Sequence, residues 1–143
     1  MGRRSRPDAS EPRRLILVDT SAWVEYLRDT GSPVCVRVDD LLDGTIATCD
    51  PVGMEVLAGA RDENHLDHLR RLLARASVIP TEPVDYEAAA AFYRVCRRRG
   101  ETVRKLIDCL IAAVAIRADV AVLHADADFD VLTRYTTLRV DQP

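Results

Sequence analysis

No two of the four cysteines, Cys35, Cys49, Cys96 and Cys109, are spaced as C-x-x-C, which removes the usual zinc-module and thiol-redox patterns. Cys109 lies in an apolar run, so reduced core thiols in a cytosolic protein are the expectation. Long hydrophobic runs are lacking too. The longest, Cys109 to Ile116, has eight residues, against the roughly 20 that span a bilayer. The N-terminal MGRRSRPDASEPRR is basic but has no apolar segment of signal-peptide length behind it, because Leu15 to Val18 meets Asp19 at once. Membrane insertion and secretion are therefore not expected, and a cytoplasmic location is. Net positive charge is also missing: 20 basic residues face 23 acidic ones, for a net charge of −3. That excludes a general nucleic-acid coat and leaves only a local basic groove. Lysine is nearly absent, since every base but Lys105 is arginine. Repeats at solenoid periods and low-complexity tracts are not found.

What remains is one compact domain: 143 residues, 48% hydrophobic and 30% charged. A chain of this size buries roughly two-thirds of its unfolded surface and needs no staple. Residues 1–14 carry five arginines and almost no apolar side chains, which predicts a flexible basic arm ahead of a domain over 15–140. Leu15 to Val18 reads as a buried strand, followed by a helix from Ser21 to Arg28 and another from Val34 to Leu42 that Gly44 ends. Thr45 to Thr48 is a second strand, and Asp50-Pro51 reads as an N-cap with proline at the first helical position, opening a helix to about Ala60. Asn64 to Ala74 is helical, Ser77 to Pro80 a strand, and Val84 to Arg98 an alanine-rich helix stopped by Gly100. A helix over Lys105 to Arg117, a strand over Ala121 to Leu123, a short helix over Asp128 to Leu132 and a fifth strand over Thr136 to Val140 complete the pattern. Such alternation predicts an α/β fold with a mostly parallel five-stranded sheet between helices.

Parallel sheets place their functional crevice beyond the carboxyl ends of the strands. Asp19 follows the first strand, Glu55 follows the second by about two helical turns, and Asp126 and Asp128 follow the fourth. Asp108 begins a helix that must run antiparallel to the fourth strand, so it points to the same edge. Taken singly, Asp19 reads equally well as an N-cap, Glu55 as a surface or helix-start acid, and the aspartates Asp126, Asp128 and Asp130 as loop residues. Asp108 differs, because it interrupts the apolar surface of LIDCLIAAV with one charge. A buried carboxylate must be paired, protonated or bound to a cation; Arg104 four residues earlier is the available partner. Clustered carboxylates without histidine or cysteine favour Mg²⁺ or Mn²⁺ over zinc.

Neighbouring patterns fail. In Asp126-Ala-Asp128-Phe-Asp130 the sixth position is Val131 and the twelfth Thr137, which excludes an EF-hand. Ser21 stands where an aspartyl phosphatase would carry its second aspartate. His65 and His68 read as surface residues, and His124 either meets substrate or packs at a strand end. Trp23, Tyr26 and Leu27 form an apolar stripe, read as core by default and as a partner-docking surface if Trp23 is exposed.

Together Asp19-Thr20-Ser21, Met54-Glu55-Val-Leu-Ala-Gly59, Asp108-Cys-Leu-Ile-Ala-Ala113 and His124-Ala-Asp126-Ala-Asp128-Phe129-Asp130 give a sequence that resembles the PIN-domain ribonucleases, VapC-type toxins of type II toxin–antitoxin modules in particular. The likeness runs in order over roughly residues 15 to 140. It implies a PIN-like three-layer α/β/α sandwich and an Mg²⁺-dependent endoribonuclease, with Mn²⁺ substituting. The matched acidic quartet is Asp19, Glu55, Asp108 and Asp126. Metal ligation falls to Asp19, Asp108 and Asp126 with Asp128 as a fifth acid, and Thr20 or Ser21 supplies a hydroxyl nearby. The resemblance further implies RNA as substrate, transfer RNA favoured, a homodimer, and a cognate antitoxin whose C-terminal segment fills the site within a toxin–antitoxin hetero-oligomer. Many relatives carry a base where this chain has Ala125 or Ala127.

The chemistry stands without the label. A dication held by such acids acidifies water and neutralises phosphate charge during in-line hydrolysis. A polyanionic substrate needs bases at the rim, and Arg104 and Lys105 are the candidates, with Arg97 to Arg99 either beside them or merely compensating a helix C-terminus. Two rivals stand at this point: another Mg²⁺ phosphoesterase, and a catalytically silent binding module with an acidic face.

Overall fold

A computed structural model describes residues 14–143; the basic arm expected over residues 1–14 lies outside these, apart from Arg14. The chain's alternation of short apolar runs and helical stretches becomes β1 (Ile16–Val18), α1 (Thr20–Leu27), α2 (Pro33–Leu41), β2 (Ile46–Cys49), α3 (Asp50–Ala58), α4 (Glu63–Leu73), β3 (Ser77–Ile79), α5 (Pro83–Arg98), α6 (Leu106–Ala118), β4 (Ala121–Leu123) and α7 (Ala127–Tyr135). The strands pair in parallel in the order β3-β2-β1-β4, with Leu17 opposite Ala47 on one side and Val122 on the other. β1 and β2 are buried along their whole length, as inner strands of a parallel sheet covered by helices must be. All four strands end at one rim.

The expected fifth strand is not formed: among the described residues the sheet has four strands. Thr136 to Val140 contributes one parallel bridge, Val140 to Val122. The reason is local. α7 runs to Tyr135, and the Thr136 hydroxyl then donates to the Leu132 carbonyl and accepts the Leu138 N–H. Side-chain bonds of this kind divert backbone groups from a ladder. A smaller correction applies to α3, where Asp50 lies inside the helix and Cys49 is the cap, with no side-chain bond; Pro51 sits in the first turn as expected.

Trp23 is fully buried and meets Tyr26 edge to face at 6.3 Å, so Trp23 is core and not the exposed docking residue considered above, while Tyr26 and Leu27 are partly covered. All four cysteines are unpaired and buried, and burial pushes the thiols of Cys49 and Cys109 up to about 11 and about 12. α6 is apolar nearly all round and correspondingly buried from Cys109 through Ala115, Leu110 being only partly covered. Asp119, in the left-handed conformation, ends it and turns the chain straight into β4, so α6 runs back along the sheet. Its first turn thereby returns to the carboxyl rim.

A buried ion pair fixes α6 to α5. The Arg117 Nε donates to the Asp85 carboxylate at 2.9 Å, and Nη2 adds a second bond at 3.0 Å. Asp85 also accepts the Glu82 N–H at 2.8 Å across the start of α5. Burial pushes the Asp85 carboxyl up, but the bonds from Arg117 and from the Glu82 N–H outweigh it and hold the group below its ordinary value.

Candidate active site

Asp19 directly follows β1 and is only 2% exposed. Its Oδ2 caps α1, accepting the Ser21 N–H at 2.9 Å and the Ser21 hydroxyl at 2.6 Å. The N-cap reading is therefore correct, yet it uses one oxygen: Oδ1 is buried without a hydrogen-bond partner. The Ser21 hydroxyl accepts the Ala125 N–H at 2.9 Å, tying the end of β1 to the loop after β4. Thr20 donates to Glu55 Oε1 at 2.8 Å, which orients that carboxylate from α3 toward the same rim. Burial raises the Asp19 carboxyl; Ser21 opposes this and the charge of Glu55 adds to it.

Asp108, in the first turn of α6, is 1% exposed, and its Oδ2 likewise lacks a hydrogen-bond partner. Burial above all, then a hydrogen bond shared with Asp128 and the negative charge of Asp19, push its carboxyl up to about 8. The pairing considered for it, with Arg104, does not occur. Arg104 instead approaches Asp126 and Asp128, at 3.9 and 3.7 Å. Asp126 caps α7 by accepting the Asp128 N–H at 2.9 Å, while its Oδ2 meets the Lys105 ammonium at 2.9 Å. Burial works against the charge of Asp126, but Lys105 more than offsets it, so the carboxyl is held below its ordinary value.

Asp128 does something the sequence did not disclose. Its two oxygens accept the backbone N–H groups of Arg104 and Lys105, each at 3.0 Å, and so pin the entry to α6. The partners lie 23 and 24 residues away, and no local pattern announces them. One oxygen from each of Asp108, Asp126 and Asp128 lies within 4.8 Å of the others. Asp19 is outside that trio but near enough for its charge to raise both Asp108 and Lys105.

The remaining candidates are resolved plainly. His124 packs on the Phe129 ring at 5.1 Å, and its Nδ1 accepts the Asp126 N–H at 3.2 Å, which is the packing role. His68 is exposed, and His65 accepts the Arg61 N–H beside the α4 cap. Arg97, Arg98 and Arg99 are exposed at the end of α5, with Arg97 over the Tyr93 ring.

The donors at the rim are oxygens only, and two of them are buried with no hydrogen bond to satisfy them. A hard divalent cation suits this set, because it would serve both orphaned oxygens and cancel the mutual repulsion. Such binding requires ionised carboxylates. With the Asp108 carboxyl raised to about 8, Mn²⁺ affinity measured by calorimetry is expected to climb about tenfold per pH unit from pH 6 toward pH 8 and then level off. The metal-free protein is expected to lose stability over the range from about pH 4 to pH 8. There the folded state binds the proton that the unfolded state has already released.

The profile of the PIN domain family matches residues 16–135. The chain belongs to the PIN domain family. This PIN domain is 50% identical over 129 residues to Ribonuclease VapC11 of Mycobacterium tuberculosis, covering 87% of this chain and 96% of that protein. At that identity and coverage it belongs with the VapC ribonucleases. The solved structure of VapBC2 from Rickettsia felis bound to a DNA fragment from their promoter has the same fold. It superposes with a TM-score of 0.73 at 17% identity, covering 89% of this chain and 97% of that one. Mycobacterium tuberculosis VapC20, a sarcin-ricin loop cleaving toxin, superposes with a TM-score of 0.59 at 18% identity, over 80% of this chain and 92% of that one.

Proposed function

We propose that this PIN domain is an endoribonuclease that hydrolyses RNA phosphodiester bonds with Mg²⁺, for which Mn²⁺ substitutes, and is neutralised by a cognate antitoxin. The observation that carries the reading is the pair of buried, unpartnered oxygens, Asp19 Oδ1 and Asp108 Oδ2, on two chain segments that meet at one rim. Asp19, Asp108 and Asp126 would hold the ion, and Asp128 closes the cluster while pinning the start of α6. When bound, the ion supplies acidified water and charge neutralisation at the phosphate. Glu55, oriented by Thr20, would accept a proton from attacking water. Ser21 keeps the β1 and β4 ends in register, and Arg104, 75% exposed in its side chain, is the base that reaches outward to the RNA backbone.

Transfer RNA is the favoured substrate, on the resemblance to the toxins that choose it. A groove of about 400 Å³ lined by Thr20, Trp23, Glu55, Val56 and Leu69 adjoins the acids and would take the antitoxin segment. The apolar face formed by Tyr86, Ala89, Leu106 and Leu110 suits the homodimer, since Tyr86 and Leu106 are 60% and 58% exposed. The test incubates the antitoxin-free protein with total RNA and with a sarcin-ricin loop oligonucleotide, in Mg²⁺ and in EDTA, and maps the new RNA ends. Mg²⁺-dependent internal cuts in transfer RNA are expected, and adding back the antitoxin should abolish them. Cuts confined to the oligonucleotide would overturn the substrate, and cleavage unchanged by EDTA would overturn the metal.

A further inference from the structure

The chain holds 20 basic residues, and Lys105 is the sole lysine among them. That lysine sits in the acidic cluster: its ammonium is 2.9 Å from Asp126 Oδ2 and 3.8 Å from Asp108 Oδ2. A cation shared by those two carboxylates would occupy the same ground. We propose that Lys105 is a tethered, exchangeable cation: its ammonium holds the carboxylates together before a divalent ion binds, yields that place to the ion, and swings outward to the rim where phosphate arrives.

The geometry suits an exchange better than a fixed bridge. The Lys105 main chain is clamped by Asp128, whereas its side chain is half exposed. Only the flexible stem has to move. Ammonium and dication cannot share the spot, because at a few ångströms their repulsion in a partly buried site is strong. The residue type matters as well. A guanidinium forms planar, two-pronged bonds with a carboxylate and would leave reluctantly, whereas an ammonium is a compact point charge on a flexible stem. In a chain that uses arginine everywhere else, lysine stands at the one position where the cation must let go. The orphaned Asp108 Oδ2 fits the same account: Lys105 is near enough to soften its charge but too far to satisfy it.

The inference rests on the divalent-metal reading, and the experiment separates the two. Mn²⁺ binding is measured by calorimetry on wild type, Lys105→Met and Lys105→Arg, with melting temperatures in EDTA and in Mn²⁺. The expectation is about tenfold tighter Mn²⁺ binding by Lys105→Met. It should melt lower than wild type in EDTA and level with it in saturating Mn²⁺. Lys105→Arg should bind Mn²⁺ more weakly than wild type. Because there is one lysine, reductive ¹³C-methylation, which keeps the charge, gives a single ε-amine signal whose shift should change on saturation with Mg²⁺. Equal or weaker Mn²⁺ binding by Lys105→Met, or a methyl signal that Mg²⁺ leaves in place, overturns the exchange while leaving the metal reading intact. Failure of all three proteins to bind Mn²⁺ removes both.

Discussion

Asp108→Asn is expected to lower Mg²⁺-dependent RNA cleavage by about 10²- to 10³-fold, and at the same time to raise the melting temperature of the metal-free protein at pH 8 by about 2–4 °C. The two effects have one origin. Asp108 is buried, its Oδ2 is unpartnered, and burial together with Asp128 and Asp19 disfavours its charge. The amide keeps the shape and can still donate a hydrogen bond to Asp128, while removing the charge that the fold tolerates poorly. It also removes a ligand that a dication needs. Gel analysis of RNA products and thermal melts in EDTA measure the pair. An aspartate that served packing alone would give a variant that melts lower and cuts normally, and that outcome would sink the assignment.

A second substitution should do the reverse, costing stability and sparing chemistry. Arg117→Ala leaves the Asp85 carboxylate, 1% exposed in the native fold, without its guanidinium bonds. Breaking a fully buried pair costs about 3–5 kcal/mol; the Arg117 side chain is 28% exposed, so about 2–3 kcal/mol is the discounted expectation. Urea denaturation at pH 7 reads this directly. The acid limb provides a further check. Because the folded Asp85 carboxyl lies below its ordinary value of 3.8, its contribution is complete above that pH and is lost as pH falls through the folded value. The gap between wild type and Arg117→Ala should therefore narrow below about pH 4. Cleavage at 20 °C should stay within about twofold, since the acidic rim lies at the other end of α6; a large loss of activity with unchanged stability would contradict the division of labour.

Much of this was legible in the residues. LILV before Asp19 could only be an inner strand, and the observed β1 is three of its four residues. Asp108 stood out because a single charge in an otherwise apolar helix demands a reason, and the helix-to-strand link after it fixed the edge it faces. Gly44 and Gly100, both with positive φ, ended helices where the pattern said they would. The misreadings share a different character. The fifth strand is reduced to the one bridge at Val140, and the Thr136 hydroxyl takes the Leu138 N–H. Helical spacing offered Arg104 as one alternative partner for Asp108, yet Arg104 precedes α6 and is not governed by that spacing. Asp128 clamps a segment more than 20 residues away, a tertiary relation no local rule contains. Periodicity and chain direction carry information along the sequence, whereas bonds between loops do not.

The Asp128 clamp joins the acidic rim to the architecture itself, since one carboxylate both secures the entry to α6 and crowds Asp108. Directed evolution for heat tolerance alone would then sort these positions unevenly. Neutral replacements should accumulate at Asp108, where ionisation opposes folding, while Asp128 resists change, and the thermotolerant survivors would be well-folded molecules that have forgotten how to cut.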